Sequence, residues 1–180
     1  MSDIGEGEAT VVSQQDFRRA MAALPAAVNV ITTDGGAGRH GMTATAVCSV
    51  TDEPASLLVC INKNARMHDL LRDNGRFCVN VLAAGQDGVS GAFSTRDLSI
   101  DERLAQAGAV IALDDGQPAL AGAQVALGCR IAQVIAVGTH SIFIGEVEQV
   151  LIGQGVGALA YYERAYHHLG GAAPLSGARA

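Results

Sequence analysis

Three short stretches carry residue types that could do chemistry. The first is GMTATAVCSV, residues 41 to 50. At the strand period of two, Met42, Ala44, Ala46, Cys48 and Val50 fall on one face, and Thr43, Thr45, Val47 and Ser49 on the other. A row of hydroxyls can hydrogen-bond a polar ligand, but threonine is also a good strand former that commonly faces water, so the row alone reads first as a solvated face. The second stretch is CINKN, in which Asn62 and Asn64 flank Lys63. A phosphate there would meet two neutral donors and a cation, and a helix beginning near Ala65 would add free backbone N–H groups. The third is His140, which follows Gly138 and Thr139 at the start of a strand-like run. A lone histidine is more often a satisfied or surface residue, yet a position at a turn exposes it.

Other patterns lead nowhere. Gly36, Ala37, Gly38, Arg39, His40 and Gly41 match GxGxxG letter for letter. A dinucleotide fingerprint needs a helix after the glycines, and a strand follows here, so the segment reads as a glycine-rich hairpin turn. His167 and His168 are adjacent, would point to opposite faces of a strand, and have no second ligand cluster, so no metal is expected. There is no GxSxG, and none of the cysteines sits in a basic surround, which leaves nucleophilic catalysis without support.

The elements that must position these residues fit one domain of 180 residues. Hydrophobic residues make up 49 % and charged ones 17 %, a balance that implies apolar surface buried between subunits. The net charge of −6, with scattered Lys and Arg, argues against nucleic acid as a partner. Cys48, Cys60, Cys78 and Cys129 stand singly in apolar runs without CxxC or a signal peptide, and read as reduced core residues of a cytoplasmic protein. No apolar run approaches the roughly 20 residues that span a bilayer.

Residues 1–12 read as a flexible arm and 170–180 as a flexible tail, leaving 13–169 as the domain. Ser13 with Asp16 marks a helix start, Phe17, Met21 and Leu24 form its apolar stripe, and Pro25 stops it. Strands are expected over 26–33, 41–50, 55–61, 76–83, 123–137, 140–153 and 158–169, with Gly138 and Thr139 turning a hairpin. Helices are expected over 65–75, ending at Gly75, and over 85–94. Residues 95–118 read as loop with a short helix near 101–107. Many strands, few helices and hairpin-sized connections predict a mainly β, antiparallel barrel or sandwich rather than a doubly wound sheet.

In order along the chain, FRRAMAALPAAVNVITT, GMTATAVCSVTDEPASLLVCIN, RFCVNVLAAGQ, AFS, VGTHSIFIGEV and YYERAYHHL resemble the short-chain flavin reductase family, the reductase components of two-component flavin-dependent monooxygenases. The resemblance runs from about Phe17 to Leu169. It implies an antiparallel Greek-key split β-barrel forming a homodimer, in which NADH, or less often NADPH, reduces FMN or FAD and the reduced flavin leaves for a separate monooxygenase. On matching positions, Met42, Thr43, Ala44, Thr45 and Ala46 would line the isoalloxazine. Ser49, Cys60, Ile61, Asn62 and Asn64 would approach the ribityl chain and phosphate. Phe93 and Ser94 would close the pocket, His140 would sit where the nicotinamide stacks as the catalytic residue, and Tyr166 would lie at the same mouth. Ala65 replaces a serine common in the family, Thr139 an aspartate, and residues 95–118 match poorly. Alternatives on the same barrel are an enzyme with tightly bound FMN that reduces a corrinoid or quinone, and a flavin-binding module without turnover.

Overall fold

The computed structural model describes residues 12–153 and 156–170. Apart from Val12 and Gly170, the expected arm and tail lie outside the described residues. In chain order the elements are α1 (Gln14–Ala22), β1 (Ala26–Ala27), β2 (Asn29–Thr33), β3 (His40–Ala44), β4 (Val47–Asp52), β5 (Ala55–Asn62), α2 (Arg66–Asn74) and β6 (Arg76–Val81). They continue with α3 (Asp87–Ser94), α4 (Ile100–Ala107), β7 (Val110–Ala112), β8 (Pro118–Leu120), β9 (Val125–Val137), β10 (His140–Ile152), β11 (Ala158–Tyr162) and β12 (Ala165–Leu169).

Seven strands form one antiparallel sheet in the order β3-β2-β6-β9-β10-β5-β4. β3 and β4 lie at opposite edges of it, yet only Thr45 and Ala46 separate them in sequence. Three Cα steps reach at most about 11 Å. Seven flat strands would set their edges about 29 Å apart, at roughly 4.8 Å per spacing. The sheet is therefore rolled until its two edges meet at this corner, a barrel split between β3 and β4.

Inside the barrel Ile31, Val59, Ile61, Phe77, Val79 and Phe143 pack with Met67 and Leu71 of α2. Helix α2 ends where Gly75 takes a left-handed φ of 70° and donates to Leu71 O. A second core outside the barrel joins Val30 of β2 to Phe93 of α3, Leu104 of α4 and Leu159 of β11. Because β2 is buried on both faces, its sequence is apolar or hydrogen-bonded throughout: Thr32 and Asn80 hydrogen-bond to one another and to backbone carbonyls.

Several expectations are corrected. The run 41–50 is not one strand but β3 and β4, broken at Thr45–Ala46 where Val47 N donates to Thr45 O, so the alternation does not continue through it. Cys48, expected in the core, is exposed, as is Ala46, while Ala44 packs on the barrel core. Of the four cysteines only Cys78 and Cys129 are buried, where desolvation pushes both thiols up to about 12; Cys60 is half-buried. The run 158–169 is a hairpin, β11–β12, turned by Glu163 and Arg164 with φ of 47° and 63°. Such a turn favours Asn or Gly, and without either the segment reads as continuous strand. In residues 95–118 the short helix expected near 101–107 forms as α4, but the rest is not all loop, since β7 pairs with β8, which runs on to Leu120. Helix α1 forms on its Ser13 cap as expected, but Phe17, Met21 and Leu24 stay exposed.

Candidate active site

A cleft of about 570 Å3 opens between β3, the start of α2, the end of α3 and the loop into α4. From β3 come His40, Met42 and Thr43, with Arg39 just before them; from the α2 start, Asn64, Ala65, Arg66 and Met67. Phe93 and Ser94 end α3, and Arg96, Ser99 and Arg103 follow. Phe93 lies against β3 so closely that a Cβ at Gly41 would stand 2.5 Å from its ring. Glycine at 41 is thus required by this approach.

The cleft is cationic although the chain carries a net charge of −6. Arg103 is only 7 % exposed; its Nε donates to Leu98 O and its Nη1 to Gly41 O. Among the described residues neither Arg66, Arg96 nor Arg103 forms an ion pair. Burial, and then the charges of Arg103 and Arg66, push His40 from 6.5 down to about 4, so it is neutral at neutral pH. Ala65 precedes helix α2 and supplies no side-chain cap; Ala65 N and His68 N donate to Asn62 O and Ala65 O, which leaves the N–H groups of Arg66 and Met67 as donors. A buried cation without a carboxylate is costly to desolvate, and an anionic ligand offsets that cost. The residues present therefore suit a phosphate-bearing ligand such as a flavin nucleotide.

Of the residues expected from the sequence, the cleft brings together Met42, Thr43, Asn64, Phe93 and Ser94. Ala44 ends β3, and Thr45 and Ala46 form the exposed corner after it. Cys60, Asn62 and His140 lie outside the cleft on strands β5 and β10, with His140 opposite Asn62 and Cys60 opposite Ile142. The side chain of Ile61 points into the barrel core, leaving its backbone for any ligand contact. Ser49 sits on the exposed edge strand β4 opposite Leu57. Tyr166 is on β12, where its hydroxyl hydrogen-bonds Ser90 Oγ at 2.8 Å.

Several of these groups already have partners. Thr43 Oγ1 and Ser94 Oγ both donate to Ser90 O, each retaining lone pairs that can accept from a ligand. Asn62 Oδ1 accepts from Asn64 N, and Lys63 Nζ donates to Gly138 O, which holds that ammonium at the β9–β10 turn. The cations that line the cleft are instead Arg39, Arg66, Arg96 and Arg103. A signal for Arg103 exists: Ser99 and Glu102 form a reciprocal capping box, visible as S-x-x-E, which fixes α4 and so the face that carries Arg103.

Known proteins resemble this chain over most of its length. The family described as flavin reductase like domain matches residues 21–170. The FMN reductase (NADH) RutF of Pseudomonas syringae pv. syringae strain B728a is 49 % identical over 165 residues, covering 92 % of each chain. Among solved structures, BorF, the flavin reductase component of a bacterial two-component tryptophan halogenase, superposes with a TM-score of 0.82 at 28 % identity, over 89 % of this chain and all of its own. The NADH:FAD oxidoreductase SgcE6 of Streptomyces globisporus C-1027, solved with NAD and FAD fragments, gives 0.78 at 30 % identity, over 93 % of this chain and 99 % of its own. On the sequence match, the rolled sheet and the shared architecture, the chain belongs to the flavin reductase-like domain family.

Proposed function

We propose that the protein is an NADH-dependent flavin reductase, with FMN as its preferred acceptor, that hands reduced flavin to a separate monooxygenase. The observation that carries this reading is the set of Arg66, Arg96 and Arg103, which have no carboxylate partner among the described residues, around the start of α2. It is supported by the NADH-dependent FMN reductases among the relatives and by the two-component reductases among the structural neighbours.

The bound flavin supplies the ring that accepts a hydride from the nicotinamide, chemistry that belongs to the cofactors. The chain's part is to hold and orient. Arg66, Arg96, Arg103 and the α2 N–H groups anchor the phosphate, with Asn62 and Asn64 beside the chain that leads from it. Met42 to Ala46 offer the backbone groups and threonine hydroxyls of the split to the ring edge, and the small side chains of Ala44 and Ala46 allow close approach. Phe93 and Ser94 close one side. Ser49, Cys60, the Ile61 backbone and Tyr166 flank the path, and His140 faces the nicotinamide. No general base is needed for hydride transfer, in keeping with the lack of an acid–base pair in the cleft among the described residues.

The same reading places the protein in the cytoplasm as a homodimer. Among the described residues no helix is long and apolar enough to cross a membrane. The outer side of the β5–β10–β9 surface carries Leu58, Ile142, Ile144, Ile135 and Val137, apolar side chains that a second copy would cover. Light scattering is expected to give twice 18.4 kDa.

The deciding experiment compares NADH and NADPH oxidation with FMN, FAD and riboflavin as acceptors. The fastest turnover is expected with NADH and FMN, with reduced flavin recovered free in solution. A protein that binds FMN yet consumes neither nucleotide overturns the reading; turnover only with FMN retained on the protein and a further acceptor points to the bound-cofactor alternative.

A further inference from the structure

Helix α2 buries a polar group that neither the core nor the proposed ligand contacts require. His68 is 9 % exposed, with its ring edge-on to Phe143 at 5.4 Å. Its Nε2 hydrogen-bonds Ser141 Oγ at 2.9 Å, and its Nδ1 meets Asp69 Oδ1 at 3.0 Å. The order Ser–His–Asp invites a nucleophile, but Ser141 is 3 % exposed and no substrate can reach it. An apolar side chain at 68 would suit a site between Met67, Leu71 and Phe143 better, because burying an imidazole and a hydroxyl desolvates both. A satisfied buried polar pair does something that apolar packing does not: it fixes one relative placement of the two elements that contribute it.

Those elements are the wall of the cleft and the strand that carries His140. The corner 62–68 contains Asn64, Ala65, Arg66 and Met67 of the cleft. It makes three bonds into residues 138–141: Lys63 N donates to Thr139 O at 3.0 Å, Lys63 Nζ donates to Gly138 O at 2.8 Å, and His68 meets Ser141. His140 lies between these attachment points, and Thr139 Oγ1 holds its Nδ1 at 2.9 Å.

We propose that His68 and Lys63 are positioning residues for hydride transfer, clamping the 62–68 corner to the 138–141 turn so that His140 is held in fixed register with a flavin anchored in the cleft. The proposal rests on the reading of His140 as the nicotinamide-facing residue. Displacing a reacting group by an ångström is enough to cost a large factor in rate, so the clamp acts on turnover and nucleotide use rather than on flavin affinity.

The test is anaerobic stopped-flow reduction of FMN by NADH, with FMN affinity measured separately by fluorescence. The double variant His68→Phe/Ser141→Ala removes both partners and orphans neither. It is expected to lower kcat about tenfold and raise KM for NADH, with FMN Kd within about twofold. His68→Gln, whose amide can still bond Ser141, is expected to recover most of the rate. Wild-type kcat and KM in the double variant overturn the proposal, as does a loss of FMN affinity that tracks the loss of rate. If the double variant does not fold, Lys63→Met decides: a slower hydride step at unchanged FMN affinity supports the clamp, and wild-type kinetics overturn it. His140→Ala, run in parallel, separates the two levels. A slow His140→Ala beside a wild-type double variant removes the clamp alone, whereas a wild-type rate in His140→Ala removes the reading of His140 and the clamp with it.

Discussion

On the outer surface of β6 and β9, Arg76 reaches Glu148 at 2.7 Å and Asp115 at 3.1 Å, and Arg130 reaches Glu148 at 2.9 Å and Glu146 as well. In the cleft, Arg66, Arg96 and Arg103 meet no carboxylate among the described residues. The first group is close to neutral, exposed to water and tied strand to strand, so salt and solvent screen it. In the second Arg66 and Arg96 are exposed too and only Arg103 is buried, but its net charge stays positive, and together with burial, the larger cause, the charges of Arg103 and Arg66 lower His40 to about 4. Arginine content does not separate the two regions; the presence or absence of carboxylates does. Cations left without carboxylates beside free helix N–H groups suit an anionic ligand.

The sharpest way to break this contrast is Arg103→Met, which keeps the volume and removes the charge. FMN affinity is expected to fall by about 1.5 to 3 kcal/mol, roughly 10- to 150-fold in Kd, while riboflavin, which lacks the phosphate, changes little. Equal losses for both ligands in a fluorescence titration would make Arg103 a purely structural residue that holds Gly41 O and Leu98 O. His140→Ala, outside the cationic cleft, is expected to slow reduction by NADH about tenfold, or roughly 1.4 kcal/mol in barrier, with FMN affinity largely intact. Collapse of flavin binding with an intact hydride step would show that His140 belongs to the flavin site instead. Thr45→Val, at the corner, is expected to weaken FMN by about 0.5 to 1.5 kcal/mol if its hydroxyl makes one neutral hydrogen bond to the ligand. An unchanged Kd returns that residue to solvent.

Two smaller effects are electrostatic. His40 resists protonation in the fold down to about 4, whereas its ordinary value is 6.5. Its contribution to stability is therefore full above pH 6.5 and lost as the pH falls towards 4. Ligand-free protein is expected to lose thermal stability over that window, and His40→Asn to flatten the loss; an identical pH profile in both would show that His40 is not its source. In the paired region Arg76 and then Arg130 hold Glu148 below the ordinary carboxylate value, so its contribution is present above 4.5 and lost only in stronger acid. Glu148→Gln is expected to shift the melting temperature least of all and to leave FMN affinity untouched. A marked drop in affinity would mean that the two regions are coupled.

Much of the scaffold was legible because it is written in local signals. Ser13 and Asp16 start α1, Gly75 ends α2, and Gly138 with Thr139 turns the β9–β10 hairpin, each by a preference that acts within a few residues. The break after Ala44 was not legible, because Thr45 and Ala46 carry no turn chemistry and the bend is imposed by closure of the whole sheet. The β11–β12 turn was hidden for the converse reason: Glu163 and Arg164 occupy left-handed positions that local preference assigns to other residues. At the site, residues on or beside β3 and α3 were found through the family resemblance. The arginines were not, since their convergence depends on how the loop after Ser94 and helix α4 fold over β3.

The opening between β3 and β4 also bears on how the purified protein behaves in solution. β4 pairs with β5 alone, and its sequence VCSVTD has neither lysine nor proline, while Val50 is 49 % exposed. Natural sheets guard such borders because unsatisfied N–H and C=O groups template further strands. Asp52 and the irregularity between Ser49 and Thr51 guard its far end, and a planar ligand or a second subunit lying over the border would guard the rest. Flavin would then act as a chaperone of the native barrel, and preparations stripped of it would be the ones that turn cloudy.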